Sequence, residues 1–146
     1  MSCTVLYYCT TDCTVQTVLH SEEDEKSTKI IHISANKEYV ASLDIVNKTL
    51  KVFSSITNEH LFDIQLTGMH RPYGVHLTSD GVLVTDLRGG KLSKYSLWPS
   101  AEPIWICNGL LNKPSGITTD EPGFIYMYVA GTRSPAIYII SPKGKN

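Results

Sequence analysis

The sequence predicts an all-β protein, a partial β-propeller of about three four-stranded antiparallel blades with an N-terminal remnant of another blade. Three observations lead to this fold class: an internal repeat of 42 residues, short strand-like segments within each repeat, and no segment with a helical pattern of apolar residues. A unit of roughly 40 to 50 residues that contains four short strands is typical of a propeller blade.

The repeat is visible when the sequence is compared with itself at a shift of 42 residues. The shift superposes identical residues in successive units: Asp44 on Asp86, Ser54 on Ser96, Pro72 on Pro114, Gly74 on Gly116 and Gly81 on Gly123. We therefore predict three units at about 29–70, 71–112 and 113–146. A fainter partial copy predicts that residues 1–28 form part of a blade and an acidic connector.

The second unit shows its four strands most clearly. Runs rich in β-branched and aromatic residues are separated by turn residues, which predicts strands at about 73–78, 82–85, 91–96 and 102–107. Between the second and third strands, the pair Gly89-Gly90 predicts a primed hairpin turn with positive φ at both glycines.

Composition excludes several classes of protein. The chain has 13 Lys+Arg against 14 Asp+Glu and is 42% hydrophobic, which argues against a disordered tail and against a strongly cationic nucleic-acid binder. No run approaches the roughly 18 to 20 apolar residues of a membrane-spanning helix, and the first residues lack a signal-peptide pattern. We expect a cytoplasmic protein with no membrane partner and with free thiols at Cys3, Cys9, Cys13 and Cys107.

The residues that could support catalysis also have a structural interpretation. Asp44 and Asp86 follow second strands, where a carboxylate can accept hydrogen bonds from turn N–H groups. Alternatively, such acids could line a channel and hold a divalent metal in a lactonase-like or esterase-like hydrolase, but Tyr128 aligns with them in the third unit. The histidines form no metal-binding motif. We therefore predict no metal, no cofactor, no catalytic residue and no enzyme activity, with the metal-dependent hydrolase as an alternative.

Charge placement separates the two ends of the predicted blades. Loops after first strands carry acids, namely Glu38, Asp80, Asp120 and Glu121. Loops at the opposite end carry the cations, and a basic face of this kind can contact phosphates or an acidic protein surface. The candidate contact residues on this basic face are Arg71, Tyr73, Arg88, Lys113 and Arg133.

The second and third units resemble a known repeat. The segments Arg71-Pro72-Tyr73-Gly74-Val75, Asp80-Gly81 and Lys113-Pro114-Ser115-Gly116-Ile117 look like the NHL repeat, and the resemblance extends over about residues 29–146. It is similar in particular to the C-terminal propeller of tripartite-motif proteins, which are ubiquitin ligases. The resemblance implies a ring of about six blades. Nothing in the chain resembles the zinc-binding domains of those ligases, so ligase activity itself is not implied.

These observations predict a macromolecular interaction platform without catalysis of its own. A protein partner suits the nearly balanced charge, and by resemblance RNA is the alternative ligand. Because three blades and a remnant cannot close a ring of six, we expect either a piece of a longer protein or a homodimer in which two copies complete the ring.

Overall fold

All of the secondary structure that the structure describes is β-strand. The computed structural model describes residues 29–100, 102–109, 112–131 and 135–142 in full, together with the backbone of Thr4–Cys9 and Val15–Ser21. Within these residues there is no helix long and apolar enough to cross a membrane. The strands are β1 (Thr4–Cys9), β2 (Val15–Ser21), β3 (Ile30–Ala35), β4 (Tyr39–Asp44), β5 (Thr49–Ser54), β6 (His60–Gln65), β7 (Pro72–Leu77), β8 (Val82–Asp86), β9 (Lys91–Tyr95), β10 (Trp105–Cys107), β11 (Pro114–Thr119), β12 (Ile125–Val129) and β13 (Ala136–Ile140).

The strands form antiparallel sheets in which neighbours in sequence are neighbours in space. Strands β1 and β2 pair as an N-terminal hairpin. Strands β3 to β6 form the first blade, β7 to β10 the second, and β11 to β13 the third. The all-β class and the antiparallel sheets predicted from the sequence are confirmed, with three described strands in the third blade and with each strand of the second blade close to its predicted position.

Strand β8 is buried on both of its faces, and this places the second blade between the other two. Side chains alternate along a strand, so consecutive residues point to opposite sides of the sheet. Val82 and Val84 pack into a core shared with the first blade, where Leu43 and Val52 are fully buried. Leu83 packs on the other side, in a core that the third blade completes with Ile125, Met127 and Val129.

Hydrogen bonds also join the blades near their first strands. The buried Thr85 hydroxyl accepts a hydrogen bond from the Gly74 N–H and donates one to the Ser115 carbonyl of the third blade, each at 2.8 Å. On the other side of β7, the Leu77 N–H donates to the Ser34 hydroxyl of the first blade at 2.9 Å. Paired polar groups at these contacts avoid the free-energy penalty of burying an unsatisfied donor or acceptor.

The third blade is apolar on both faces but is covered on only one of them by described residues. Met127 and Val129 are fully buried against the second blade. On the opposite face, the exposed fractions of the Tyr128, Ile137 and Ile139 side chains are 44%, 68% and 62%. A contiguous exposed apolar face of this kind is uncommon on a soluble monomer.

The two faces of the third blade should therefore respond differently to truncation. We expect Met127→Ala to lower the free energy of unfolding by about 3 kcal/mol because it leaves a cavity in a packed core. Ile139→Ala, on the exposed face, should lower it by less than about 1 kcal/mol. Urea unfolding of the two variants tests this contrast, and equal losses would show that the outer face is covered in solution.

Candidate functional site

The site is built around the carboxylate of Asp86, which is fully buried at the end of β8. One oxygen, Oδ1, accepts hydrogen bonds from the N–H groups of Arg71 and Gly89, both at 2.8 Å. The other, Oδ2, accepts from the His70 N–H at 2.8 Å. The carboxylate therefore joins the loop before β7 to the turn after β8.

The backbone contacts keep Asp86 ionised despite its burial. Burial alone raises the pKa of the carboxyl group, but the N–H groups of Arg71, Gly89 and His70 outweigh it and hold the pKa below its ordinary value. Asp44, at the equivalent position in the first blade, also accepts a hydrogen bond from a turn: its Oδ1 accepts from the Val46 N–H at 3.0 Å. The structural interpretation of these acids as acceptors for turn N–H groups is confirmed.

The two loops that Asp86 joins form one wall of an open cleft of about 550 Å³, and the loop before β11 forms the other. The side chains of Arg71, Arg88 and Lys113 are exposed and line this basic cleft. Among the residues that the structure describes, none of these three cations has an ion-pair or hydrogen-bond partner for its side chain. The remaining lining residues are Leu87, Gly89, Gly90 and Asn112.

Three of the five predicted contact residues thus lie together in the basic cleft. Tyr73 does not line it: this side chain is half-buried, and its ring centroid lies 5.1 Å from that of His32 in the first blade. Arg133 falls outside the described residues. The positions of their loops in the repeat predicted that these three cations lie at the same end of the blades. The packing of Tyr73 was not predicted, because it depends on a contact between two blades.

The turn after β8 differs from the predicted primed hairpin. Of the two glycines only Gly90 has a positive φ, 62°, and its N–H donates to the Asp86 carbonyl at 2.9 Å across a four-residue connection. Gly89 is required for a different reason. A Cβ atom at this position would lie 2.1 Å from Asp86 Oδ2, so any side chain would displace the carboxylate.

The acids predicted at the opposite end of the blades also come together. Glu38, Asp80, Asp120 and Glu121 line a second cavity, of about 520 Å³. Lys94 reaches into it and donates to both oxygens of Asp80 at 2.7 Å; this hydrogen bond lowers the pKa of the Asp80 carboxyl group. The cavity also has an apolar floor formed by Leu77, Leu83 and Ile125, which the sequence did not indicate because these side chains come from different blades.

The described residues offer no ring of acids for a metal ion. Strand pairing places Asp86 opposite Pro72 in the second blade and Val129 opposite Pro114 in the third. The equivalent residue is thus Val129, one position beyond the Tyr128 expected from the sequence, because the β11–β12 loop is one residue longer. Within the described part of the chain, no group of three or more His, Cys, Asp or Glu side chains could hold a metal ion.

Comparisons with known proteins identify the fold. No protein-family model and no curated protein matches the chain. Among solved structures, it is similar to a glutaminyl cyclase from Myxococcus xanthus, with a TM-score of 0.64 and 12% identity over 90% of this chain and 55% of that one. It is equally similar to a protein of unknown function from Bacteroides caccae, with a TM-score of 0.64 and 12% identity over 97% and 52% of the two chains.

These neighbours are propeller-like β folds, so the predicted partial β-propeller is confirmed. The chain spans about half the length of each of them. The prediction that the chain is not an enzyme is contradicted, because a protein with this fold is a glutaminyl cyclase. At 12% identity the likeness shows the fold alone, so the cyclase activity is not transferred to this chain.

The ionised state of Asp86 gives a prediction for the dependence of stability on pH. Because the pKa of Asp86 is lower in the folded than in the unfolded chain, its stabilisation is present above an unfolded pKa of about 3.9 and is lost as pH falls through the folded pKa. We expect Asp86→Asn to lower the free energy of unfolding by about 1 to 3 kcal/mol at pH 7, and the gap to the wild type to narrow below about pH 4. Urea unfolding across this pH range measures the gap, and a constant gap would contradict the role given to the charge.

Gly89 can be tested against a glycine that has free space around it. Gly89→Ala should lower the free energy of unfolding by more than about 1 kcal/mol because its Cβ would collide with the Asp86 carboxylate. Gly116→Ala is the matched control: no atom lies within 4 Å of the added Cβ, so we expect a change within about 0.5 kcal/mol. Thermal and urea unfolding should rank the two variants in this order, and equal effects would rule out the collision.

Proposed function

We propose that this chain is an interaction platform that binds an acidic segment of a partner protein in the basic cleft. The observation that carries the proposal is the convergence of Arg71, Arg88 and Lys113 on one open cleft, each exposed and without a carboxylate partner among the described residues. Such cations attract an anionic ligand and give binding that weakens with salt. The buried Asp86 supports the site by fixing the backbone that carries two of the three cations.

The lining of the basic cleft favours an acidic peptide over RNA. Single-stranded RNA is bound largely by stacking of its bases on exposed aromatic rings along a cationic groove. The described residues that line the cleft include no aromatic side chain. Tyr73, two residues after Arg71, already has its ring against His32. A cleft whose described lining has three cations and no aromatic ring suits carboxylates better than bases.

We further propose that the blades are of the NHL type and that the parent protein is similar to tripartite-motif ubiquitin ligases, in which this propeller would recognise the substrate. The resemblance in sequence supports this proposal, and the equivalent carboxylates of Asp44 and Asp86 add structural support for a true repeat. The cytoplasmic location stays a prediction. Ligase activity would belong to other parts of such a protein.

A labelled octaglutamate peptide provides a direct test by fluorescence anisotropy. We expect saturable binding to the wild type, no measurable binding to the triple variant Arg71→Glu, Arg88→Glu, Lys113→Glu, and a roughly fivefold to tenfold weaker Kd for Arg88→Glu alone. Lys37→Glu is the matched single reversal, since Lys37 is also exposed but lies at the acidic end. It should change Kd by no more than about twofold. Circular dichroism of each variant confirms that the sheets are intact.

The same titration distinguishes protein from RNA. If a single-stranded oligouridylate binds more tightly than the peptide, with an affinity that falls steeply with salt, the ligand is RNA and the proposal of a protein partner is wrong. Peptide binding that is equally weakened by Arg88→Glu and by Lys37→Glu would show only general attraction to charge and would overturn the proposed site.

A further inference from the structure

The cavity at the acidic end of the blades has the size of a small-molecule site. It measures about 520 Å³ and lies where the β3–β4, β7–β8 and β11–β12 loops meet. Cavities of roughly 300 to 1,000 Å³ that combine apolar walls with a few polar groups are the usual form of such sites. All three blades contribute to its lining, so it exists only because they are packed together.

The floor of this cavity is apolar. Leu77, Leu83 and Ile125 line it, and their exposed fractions are only 4%, 1% and 3%. Trp105, half-buried in β10, adds an aromatic wall. An indole ring can also attract a cation through its π electrons. The floor therefore offers contact to the apolar part of a ligand.

The rim of the cavity is negatively charged. Four carboxylates and the two ammonium groups of Lys37 and Lys94 give the described lining a net charge of −2. Lys94 is engaged by Asp80. Among described residues, no cation lies within 4.0 Å of the other three carboxylates, those of Glu38, Asp120 and Glu121.

One of these carboxylates is held in a fixed position. Asp120 Oδ1 accepts from the Phe124 N–H at 2.8 Å, and Oδ2 accepts from the Tyr126 hydroxyl at 2.9 Å. A ligand cation would meet this oriented carboxylate beside those of Glu38 and Glu121, whose side chains have no hydrogen-bond partner among the described residues.

We propose that this cavity binds a small organic cation, an alkylammonium group whose charge lies among Glu38, Asp120 and Glu121 and whose apolar chain lies against Leu83, Ile125 and Trp105. Neither the apolar floor nor the acidic rim alone would give a preference for an alkylammonium ligand. The apolar floor alone would accept a neutral molecule, and the acidic rim alone would hold only a hydrated counterion. Their combination selects a ligand with both properties.

Tryptophan fluorescence can report on binding, because the chain has two tryptophans and Trp105 lines the cavity while Trp98 is 70% exposed elsewhere. In a Trp98→Phe background, n-butylamine at neutral pH should change the Trp105 emission with a saturable dependence on concentration. n-Butanol has nearly the same size but no charge, and we expect it to bind at least about fivefold more weakly. Equal binding of the two compounds, or no saturable change with the amine, would overturn the proposal.

Variants of the rim distinguish binding in the cavity from a general attraction of the amine to the negative charge of the protein. Glu38→Gln with Glu121→Gln keeps the size of both side chains and should weaken n-butylamine binding about fivefold. Glu59→Gln with Glu102→Gln removes the same charge from exposed positions outside the cavity and should leave Kd unchanged. Equal weakening in both double variants would contradict the assignment.

Two sources could supply the same chemistry, a free amine or a lysine side chain of a protein. Tighter binding of a Gly-Lys-Gly peptide than of n-butylamine would indicate a lysine side chain as the ligand. Tighter binding of n-butylamine would indicate a free amine. Both results support a cation site. The inference does not rest on the proposed function. Arg88→Glu, which should weaken binding of the acidic peptide, should leave the amine titration unchanged, so the failure of one proposal is distinguishable from the failure of the other.

Discussion

Burial of each blade against its neighbour is the constraint on which the rest of this structure depends. A four-stranded antiparallel sheet has two faces, and in this chain both faces of the second blade are apolar. The alternation of Val82 and Val84 with Leu83 along β8 directs one set of side chains to the first blade and the other to the third. Hydrophobic burial of this type is the main favourable term in folding. Both candidate sites form where loops from the stacked blades meet.

The end of β8 connects this packing to the basic cleft. Three consecutive residues have three different tasks: Val84 packs on the first blade, Thr85 bonds to the third, and Asp86 holds two loops at the blade end. The arrangement puts a buried charge next to the core, which is tolerable because backbone N–H groups surround it. The buried carboxylate thereby holds the loop before β7 and the turn after β8 together, and these segments form one wall of the cleft.

The sequence was sufficient to predict features that depend on spacing. Repeat length and strand composition predicted the blades, and the position of each loop predicted which end would carry Arg71, Arg88 and Lys113 and which would carry Glu38, Asp80, Asp120 and Glu121. The sequence did not predict features that depend on contact between blades. The ring of Tyr73 packs on His32, Trp105 lines a cavity shared by three blades, and an extra residue in the β11–β12 loop moves Val129 into the position expected for Tyr128. The conformation of the turn at Gly89 was also not predicted, since it depends on the nearby Asp86 carboxylate rather than on the pair of glycines.

The outermost strands of the blades differ in how well they are protected against pairing with another chain. No described strand pairs with the outer side of β6, β10 or β13, so the backbone N–H and C=O groups on that side have no strand partner among the described residues. Strand β10 has only three residues, and β6 carries His60, Asp63 and Gln65. Strand β13 is longer than β10 and, unlike β6, has no charged residue: its sequence is Ala136-Ile137-Tyr138-Ile139-Ile140. An extended peptide that reaches β13 can therefore add to the third blade as its fourth strand through main-chain hydrogen bonds alone.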